Sequence, residues 1–239
     1  MSIAAIGMQN DTERLNNISH NLANAGTNGY KRRVTVTRPF AEQLQSASSA
    51  SGMGAGTSAV IDPAAGTIRP SASPLDLAIE GDAFFEVSTP QGPAFTRYGH
   101  FHVDAAGKLV TEQGDAVMGT TGELAGAGAS SGMSVNRRGE VTQGEQLLGQ
   151  VKLVRFANAS ALLPLGQGLY AQGGARVTEA GSDAGPVGIQ PGALENSNVS
   201  SAQEMARLAE TVRHFEALQK VVQGYDEALE KAIRKLGEF

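Results

Sequence analysis

An apolar seam near the C-terminal end is the feature that most constrains the fold of this chain. Its members recur at steps of three and four residues: Met205, Leu208, Val212, Phe215, Val222, Tyr225, Leu229, Ala232 and Leu236. Polar Gln219 takes the one seam position between Phe215 and Val222. This spacing is that of the a and d positions of a coiled coil. Two overlapping capping boxes at residues 200–204 mark the start, so the seam predicts a helix from about residue 201 to residue 236.

A helix of this length spans about 50 Å, which is longer than the diameter of a domain of about 115 residues. It therefore has to project, and a projecting apolar seam needs a partner. The partner can be the N-terminal helix or the same helices in neighbouring copies. The alternative is that both terminal helices pack against the rest of the chain as ordinary core.

The N-terminal segment predicts a second, weaker helix over residues 2–25. One apolar stripe runs through Met8, Leu15, Ile18, Leu22 and Ala25. Gly26 suits the position after a helix end, and Asn28-Gly29 favours a turn. Five asparagines inside the segment compete for backbone hydrogen bonds, so the isolated helix should be unstable.

The middle of the chain changes to the alternating pattern of strands. Residues 75–80 and 83–88 alternate around Gly81-Asp82, which predicts a β-hairpin. Further short strands are predicted at residues 95–98, 101–103, 108–111 and 151–156, and around Val135 and Val141. Asp104 and Asn136 each open a turn that ends in glycine.

We therefore predict an α+β fold in which long N- and C-terminal helices pair as a coiled coil around a small all-β domain. The expected divisions are a core helix at 1–26, an extended arm at 27–74, the β domain at 75–191 and a core helix at 192–239. Residues 45–73 contain few large apolar side chains, so this part of the arm should order only against something else.

Composition excludes several classes of function. The chain has no cysteine, which rules out disulfides, thiolate metal sites and a cysteine nucleophile. Its formal net charge of −5 gives no general attraction to nucleic acid. We find no cleavable signal peptide pattern and no apolar run long enough to span a membrane, so membrane insertion is not expected.

Few residues suggest chemistry. His100 and His102 share a strand face but have no obvious third ligand, so surface histidines are favoured over a metal site. Lys31-Arg32-Arg33, with Arg38, could bind an acidic partner or form a basic edge strand. The sequence contains no P-loop and no GxSxG elbow. We expect no enzyme activity, no cofactor and no metal.

Four blocks, in order along nearly the whole chain, resemble the bacterial flagellar rod and hook proteins. The first is NISHNLANAGTNGYK at residues 17–31, and the second is LAIEGDAFF at residues 77–85. FTRYG at residues 95–99, followed by Phe101 and Val103, is the third. LENSNV at residues 194–199 is the fourth, immediately before the predicted C-terminal helix.

The resemblance implies a structural subunit that stacks helically into the periplasmic rod of the flagellum, with itself and other rod proteins as partners. One β domain in 239 residues fits a proximal rod protein best, with the distal rod protein as the alternative. A secreted binding module built on the β domain is the competing class. The core-helix contacts would be Leu15, Ile18, Leu22, Ala25, Leu208, Val212, Phe215, Val222, Tyr225 and Leu229.

The resemblance also implies export through the flagellar type III apparatus, without a cleaved signal peptide. Residues 40–44, FAEQL, resemble the Phe-x-x-x-hydrophobic element by which rod and hook subunits dock at the export gate. Phe40 and Leu44 are therefore export-signal candidates. The alternative is one turn of the arm that packs both side chains on the same helical side.

Overall fold

The computed structural model describes residues 2–37, 57–126, 132–178 and 187–236. The chain divides into two compact units. The helical unit comprises residues 1–23, 33–59 and 200–239, and the β unit comprises residues 24–32 and 60–199.

The helical unit is built on two helices, α1 (Ser2–Ala23) and α2 (Ser201–Leu236). Strand β1 (Arg33–Thr37) pairs with β2 (Thr57–Ile61). The bounds of α2 are those predicted from the seam, while α1 ends two residues before the predicted limit. In the part of the chain described, neither helix is long and apolar enough to cross a membrane.

The β unit consists of short strands and one turn of 3₁₀ helix at Ala159–Ala161. Its strands are β3 (Ile68–Pro70), β4 (Leu77–Glu80), β5 (Ala83–Thr89), β6 (Gly92–Thr96), β7 (Phe101–Val103), β8 (Leu109–Thr111), β9 (Ala116–Gly119), β10 (Gly122–Glu123), β11 (Met133–Val135), β12 (Glu140–Gln143), β13 (Gln146–Gln150), β14 (Leu153–Phe156), β15 (Leu163–Gly166), β16 (Leu169–Ala171), β17 (Val177–Thr178), β18 (Gly188–Pro191) and β19 (Ala193–Glu195).

Ten of these strands form one sheet with the order β15-β16-β6-β5-β9-β8-β7, to which β10, β14 and β17 attach. Strand β5 is its centre, because it pairs antiparallel with β6, β9 and β14. A three-stranded sheet β11-β12-β13 and the two pairs β18-β4 and β19-β3 complete the unit.

The interior of the β unit contains two apolar clusters. The larger includes Phe85 and Phe101, whose rings meet edge to face at 5.1 Å between centroids. The second surrounds Phe84, which lies edge to face against Phe156 at 5.7 Å and Tyr170 at 6.1 Å. Alternation along β5 explains both clusters, because successive side chains point to opposite faces of a strand.

The predicted pairing of two long helices as a coiled coil is wrong. The described residues are mostly β, with one N-terminal and one C-terminal helix, so the α+β class holds only in part. Two polar pairs, Asn21 with Glu204 and His214 with Asp11, lie between the helices, and the predicted seam residues Val212, Tyr225 and Leu229 are exposed. A coiled coil instead requires a continuous apolar a/d contact along both helices.

The predicted hairpin is also wrong, although both of its strands exist. Strand β4 pairs with β18, and β5 pairs with β6, β9 and β14. Gly81-Asp82 therefore connects strands of two different sheets. The turns at Asp104 and Asn136 are confirmed, since each side-chain oxygen accepts hydrogen bonds from backbone N–H groups two and four residues on.

Candidate functional site

A buried cluster of three charged residues lies where the recognised sequence blocks meet within the β unit. Lys31 comes from the segment that follows α1, Arg97 directly follows β6, and Glu195 ends β19. Lys31 Nζ lies 2.7 Å from Glu195 Oε1, and Arg97 Nη1 lies 3.0 Å from Glu195 Oε2. All three side chains are 2% exposed or less. One carboxylate thus joins three distant parts of the sequence.

The surrounding backbone supplies further hydrogen bonds to this cluster. Lys31 Nζ donates to the Ala64 carbonyl at 2.8 Å, and the Gly66 N–H donates to Glu195 Oε1 at 2.8 Å. Arg97 Nη2 donates to the Gly81 carbonyl at 2.6 Å. The Glu195 carboxylate is therefore held by three donors, which disfavours a role as a general base.

Burial dominates the electrostatics of the two cations. It lowers the pKa of Lys31 and the pKa of Arg97, and the neighbouring carboxylate of Glu195 opposes the effect in both cases. The Arg97 guanidinium also lies over the ring of Phe84, 5.1 Å from its centroid, where a cation is attracted to the aromatic face. A second arginine, Arg155, places Nε 2.8 Å from Asp82 beside the same turn.

Gly29 allows the chain to approach this cluster closely. Its N–H donates to the Glu195 carbonyl at 2.7 Å, and its φ is +66°. A Cβ at this position would lie 2.3 Å from the carbonyl carbon of Arg97, which only glycine avoids. The glycine of the TNGYK block is thus explained by its close approach to the backbone of Arg97.

Asn198 fixes the other side of the junction. Its Oδ1 accepts from the Arg32 N–H at 2.7 Å, and its Nδ2 donates to the carbonyls of Asp62 and Ala64. The Tyr170 hydroxyl accepts from the Lys31 N–H at 3.0 Å. The segment after α1 and the segment before α2 are therefore held against one another inside the β unit.

Sequence reasoning did not identify this cluster. Lys31 belongs to the basic run that was interpreted as a partner site or an edge strand, but it is buried and paired with a carboxylate. The spacing of single residues carries no signal for a contact between positions 31, 97 and 195. The only signal was that all three positions fall in or beside the blocks of the family resemblance.

The helical unit has a polar centre of its own. Asn21 Nδ2 donates to Glu204 Oε2 at 3.1 Å, and His214 Nδ1 lies 2.6 Å from Asp11 Oδ2. Asn21 also binds both backbone groups of Arg33, at 2.7 Å to N and 2.9 Å to O. The asparagine that weakens α1 as an isolated helix therefore fixes β1 and α2 in the folded unit.

The predicted core-helix residues occupy different environments. Ile18 is buried, whereas Val212, Tyr225 and Leu229 are 38%, 51% and 44% exposed. The intermediate group comprises Leu15, Leu22, Ala25, Leu208, Phe215 and Val222. The export-signal candidates Phe40 and Leu44 lie outside the described residues.

The two strand histidines are not brought to a shared ligand set. His100 Nδ1 lies 2.6 Å from Oδ1 of buried Asp76, which also accepts a hydrogen bond from the Ser71 hydroxyl. His102 is exposed. Across the described ranges, no three His, Cys, Asp or Glu side chains are grouped closely enough to hold a metal ion.

Comparison with known proteins decides the family. A family model described as "Flagellar hook protein FlgE/F/G D1 domain" matches residues 78–143, and one described as "Flagellar basal body rod FlgEFG protein C-terminal" matches residues 190–235. The flagellar basal-body rod protein FlgG of Bacillus subtilis is 30% identical over 254 aligned positions, covering 95% of each chain. The chain belongs to the flagellar basal-body rod protein family.

Other members of the family give the same result. FlgG of Buchnera aphidicola from Acyrthosiphon pisum is 32% identical, covering 96% of each chain. The flagellar basal-body rod protein FlgF of Mesorhizobium japonicum is 30% identical over 227 aligned positions, covering 94% of this chain and 92% of its own. The predicted flagellar rod family and its structural class of function are confirmed. Two members of the buried cluster, Arg97 and Glu195, fall within the segments that the family models match.

Proposed function

We propose that this chain assembles helically with copies of itself and with other rod proteins to form part of the periplasmic rod that transmits rotation in the flagellum. The large apolar side chains that α2 leaves exposed carry the proposal. They are Met205, Val212, Val221, Tyr225, Leu229 and Ile233. The role is structural, with no catalytic step.

The distribution of polarity on α2 supports this role. Glu204 and His214 of α2 bond to α1, and Leu218 faces Gly7 near the start of α1, whereas the exposed apolar residues from Val221 to Ile233 lie beyond that point. Burying one such side chain contributes about 1.5–3 kcal/mol. Val221, Tyr225, Leu229 and Ile233 recur every four residues on one side of the helix, and an exposed apolar stripe of this kind is typical of a protein interface. Repeated head-to-tail contacts that do not close into a ring would generate a helical rod.

The test is an aspartate pair on the exposed side of α2. Tyr225→Asp with Leu229→Asp should abolish polymerisation and swimming, since two charges would be buried in the interface at a cost of several kcal/mol, roughly. The thermal stability of the monomer should change little, because both side chains are exposed in the single chain. Electron microscopy at rising protein concentration and motility of a complemented deletion strain are the measurements.

Gln223→Asp is the matched control, because Gln223 lies about 120–160° around the helix from the two target residues. It is exposed, and the variant adds one negative charge within a turn of Tyr225, against two charges in the test variant. It should polymerise as the parent does. Normal assembly of the Tyr225/Leu229 variant would contradict the proposed interface.

Within the rod, we propose the FlgF position, with the FlgG position as the alternative. The supporting observation is alignment length. The FlgF alignment covers 94% of this chain in 227 positions, whereas the Bacillus FlgG alignment needs 254 positions to cover 95%, so FlgG requires more gaps. Complementation of strains that lack one or the other protein tests this: rescue of only the FlgG-deficient strain would overturn the assignment.

We further propose that Phe40 and Leu44 act in export by the flagellar type III apparatus. Phe40→Ala with Leu44→Ala should leave the subunit in the cytoplasm, while the purified variant still polymerises. A packing role makes the opposite forecast of normal secretion and failed assembly. Comparing secreted with retained subunit in a strain lacking the endogenous copy separates them.

A further inference from the structure

The contacts between α1 and α2 follow a single antiparallel register. A Cβ built on Gly7 would lie 2.8 Å from Leu218 Cδ1, Asp11 faces His214, and Asn21 faces Glu204. The spacing is the same on both helices and runs in opposite directions. The first two contacts are four residues apart on each helix, and the second and third are ten residues apart on each helix.

The apolar residues of α2 alone would not specify this register. Leu208, Phe215, Val222 and Leu229 recur at intervals of seven residues. A shift of one heptad therefore presents nearly the same apolar surface to α1. A shift towards the C-terminal end of α2 would even cover Val221 and Tyr225, both of which are more than half exposed.

The polar contacts do distinguish these registers. After a seven-residue shift in that direction, Asp11 would face Val221 in place of His214, and Glu204 would lie beyond the end of α1. Asp11 and Glu204 are both 2% exposed or less in the native pairing. The shift would therefore take His214 from Asp11 and Asn21 from Glu204, and the loss of a partner of a buried carboxylate is destabilising.

We propose that Asp11 and Glu204 form a register key that fixes how α1 pairs with α2 of its own chain. Glu204 is held by Asn21 and by Arg207 Nη1 at 2.7 Å, and Asp11 is held by His214 with Arg14 at 3.9 Å. The key selects the native register, and Gly7 accommodates Leu218 at the far end of the same contact. Buried polar groups that set helix register at a cost in stability are well attested.

The value of such a key rests on the proposed function. In a rod, the identical helices of neighbouring copies lie at very high local concentration and present the same heptad repeat. A pairing rule based on apolar contact alone would allow α1 to pair with a neighbour's α2. The key makes the pairing within one chain the preferred one, and it leaves the exposed apolar residues of α2 beyond Leu218 for contacts between chains.

Engineered disulfides can measure the register directly, because the chain contains no cysteine. Gly7→Cys with Leu218→Cys reports the native register. Gly7→Cys with Tyr225→Cys reports the shifted register, since the two α2 positions are about 10 Å apart along the helix and a disulfide spans far less. Mild oxidation of the dilute, purified full-length chain, followed by a non-reducing gel, separates disulfides within one chain from those between chains.

Each reporter pair is placed in three backgrounds: the native chain, Asp11→Leu with Glu204→Leu, and Asp11→Asn with Glu204→Gln. The leucine substitutions replace both carboxylates with an apolar residue that favours helix. The asparagine and glutamine substitutions remove only the charge and keep a hydrogen-bond acceptor at each position. We expect the native and amide backgrounds to form only the 7–218 disulfide within one chain. The leucine background should lose this exclusivity and form 7–225 disulfides and cross-linked dimers, with its helical circular dichroism retained.

Two results would overturn the key. The leucine background could form the 7–218 disulfide as exclusively as the native chain, or it could lose its helical signal, which would make the carboxylates stability elements only. Since the assay uses the dilute single chain, it does not depend on rod assembly. A chain with the correct register that fails to polymerise would contradict the proposed function and leave the register key standing.

Discussion

The two units of this chain bury opposite kinds of side chain. The β unit encloses two apolar clusters rich in phenylalanine and concentrates its buried charges around Glu195. In the described part of the helical unit, Ile18 is the one large apolar side chain that is fully buried. Its other buried residues are Asp11, Asn21, Glu204 and Thr211.

The two units therefore draw their stability from different sources. The β unit gains its free energy of folding from apolar burial, so it should fold without a partner. The helical unit buries polar groups, which specify geometry but contribute little net free energy. Burial of exposed apolar residues such as Tyr225 and Leu229 would add stabilisation on assembly.

Among the substitutions that test this difference, Glu195→Gln should cause the largest loss in the free energy of unfolding. The variant leaves Lys31 and Arg97 buried without an anion, and the loss of one partner of a buried ion pair costs about 3–5 kcal/mol. Urea unfolding followed by near-UV circular dichroism, which reports the aromatic clusters, measures the free energy of unfolding of the β unit.

Glu145→Gln serves as the control, because Glu145 is exposed in the same unit and the variant removes the same charge. It should change the free energy of unfolding by less than about 0.5 kcal/mol. A loss below about 1 kcal/mol for Glu195→Gln would mean that the buried cluster does not hold the β unit together.

A smaller effect is expected from Asn21→Ala in the helical unit. The substitution removes hydrogen bonds to the backbone of Arg33 and to Glu204, and unpaired buried groups cost about 1–3 kcal/mol. The helical unit, followed by circular dichroism at 222 nm, a wavelength sensitive to helix, should melt at a lower temperature. The near-UV transition of the β unit should stay at the same temperature.

Asn16→Ala is the matched control on the exposed side of α1. Alanine favours helix over asparagine by roughly 0.5 kcal/mol, so this variant should be neutral or slightly stabilising. If both variants melt alike, Asn21 acts only through helix propensity, and the polar centre of the helical unit has no structural role.

How much the sequence could predict also differs between the two units. The limits of α2 followed from capping boxes and apolar spacing, which are local signals, and the turns at Asp104 and Asn136 followed from side chains that bond their own backbone. The pairing of β4 with β18 joins residues about 110 positions apart, and no local pattern encodes such a contact. The same limit hid the contact of Lys31 with Glu195.

The helical unit shows a further limit of apolar periodicity. The seam identified α2 as a helix, but the pattern does not say whether its apolar residues meet α1 or another chain. Polar residues such as Asn21 and Asp11 take part in the contact within the chain, and a pattern of apolar residues ignores them. The coiled-coil prediction failed for this reason.

The smallest expected effect is a pH dependence confined to the β unit. Partial burial, reinforced by a hydrogen bond from its hydroxyl to Glu112, raises the pKa of Tyr98 to about 12, against about 10 for an unperturbed tyrosine. Between these values the unfolded chain loses the proton and the folded chain keeps it. Tyr98 therefore stabilises the fold below about pH 10, and this contribution is lost as the pH rises towards 12.

Unfolding of the native chain and of Tyr98→Phe, measured from pH 9 to about 12, should show a steeper alkaline decline of the free energy of unfolding in the native chain. The near-UV transition should carry this difference and the 222 nm transition of the helical unit should not. Equal slopes for the two chains would show that the Tyr98 hydroxyl titrates as it does in the unfolded state.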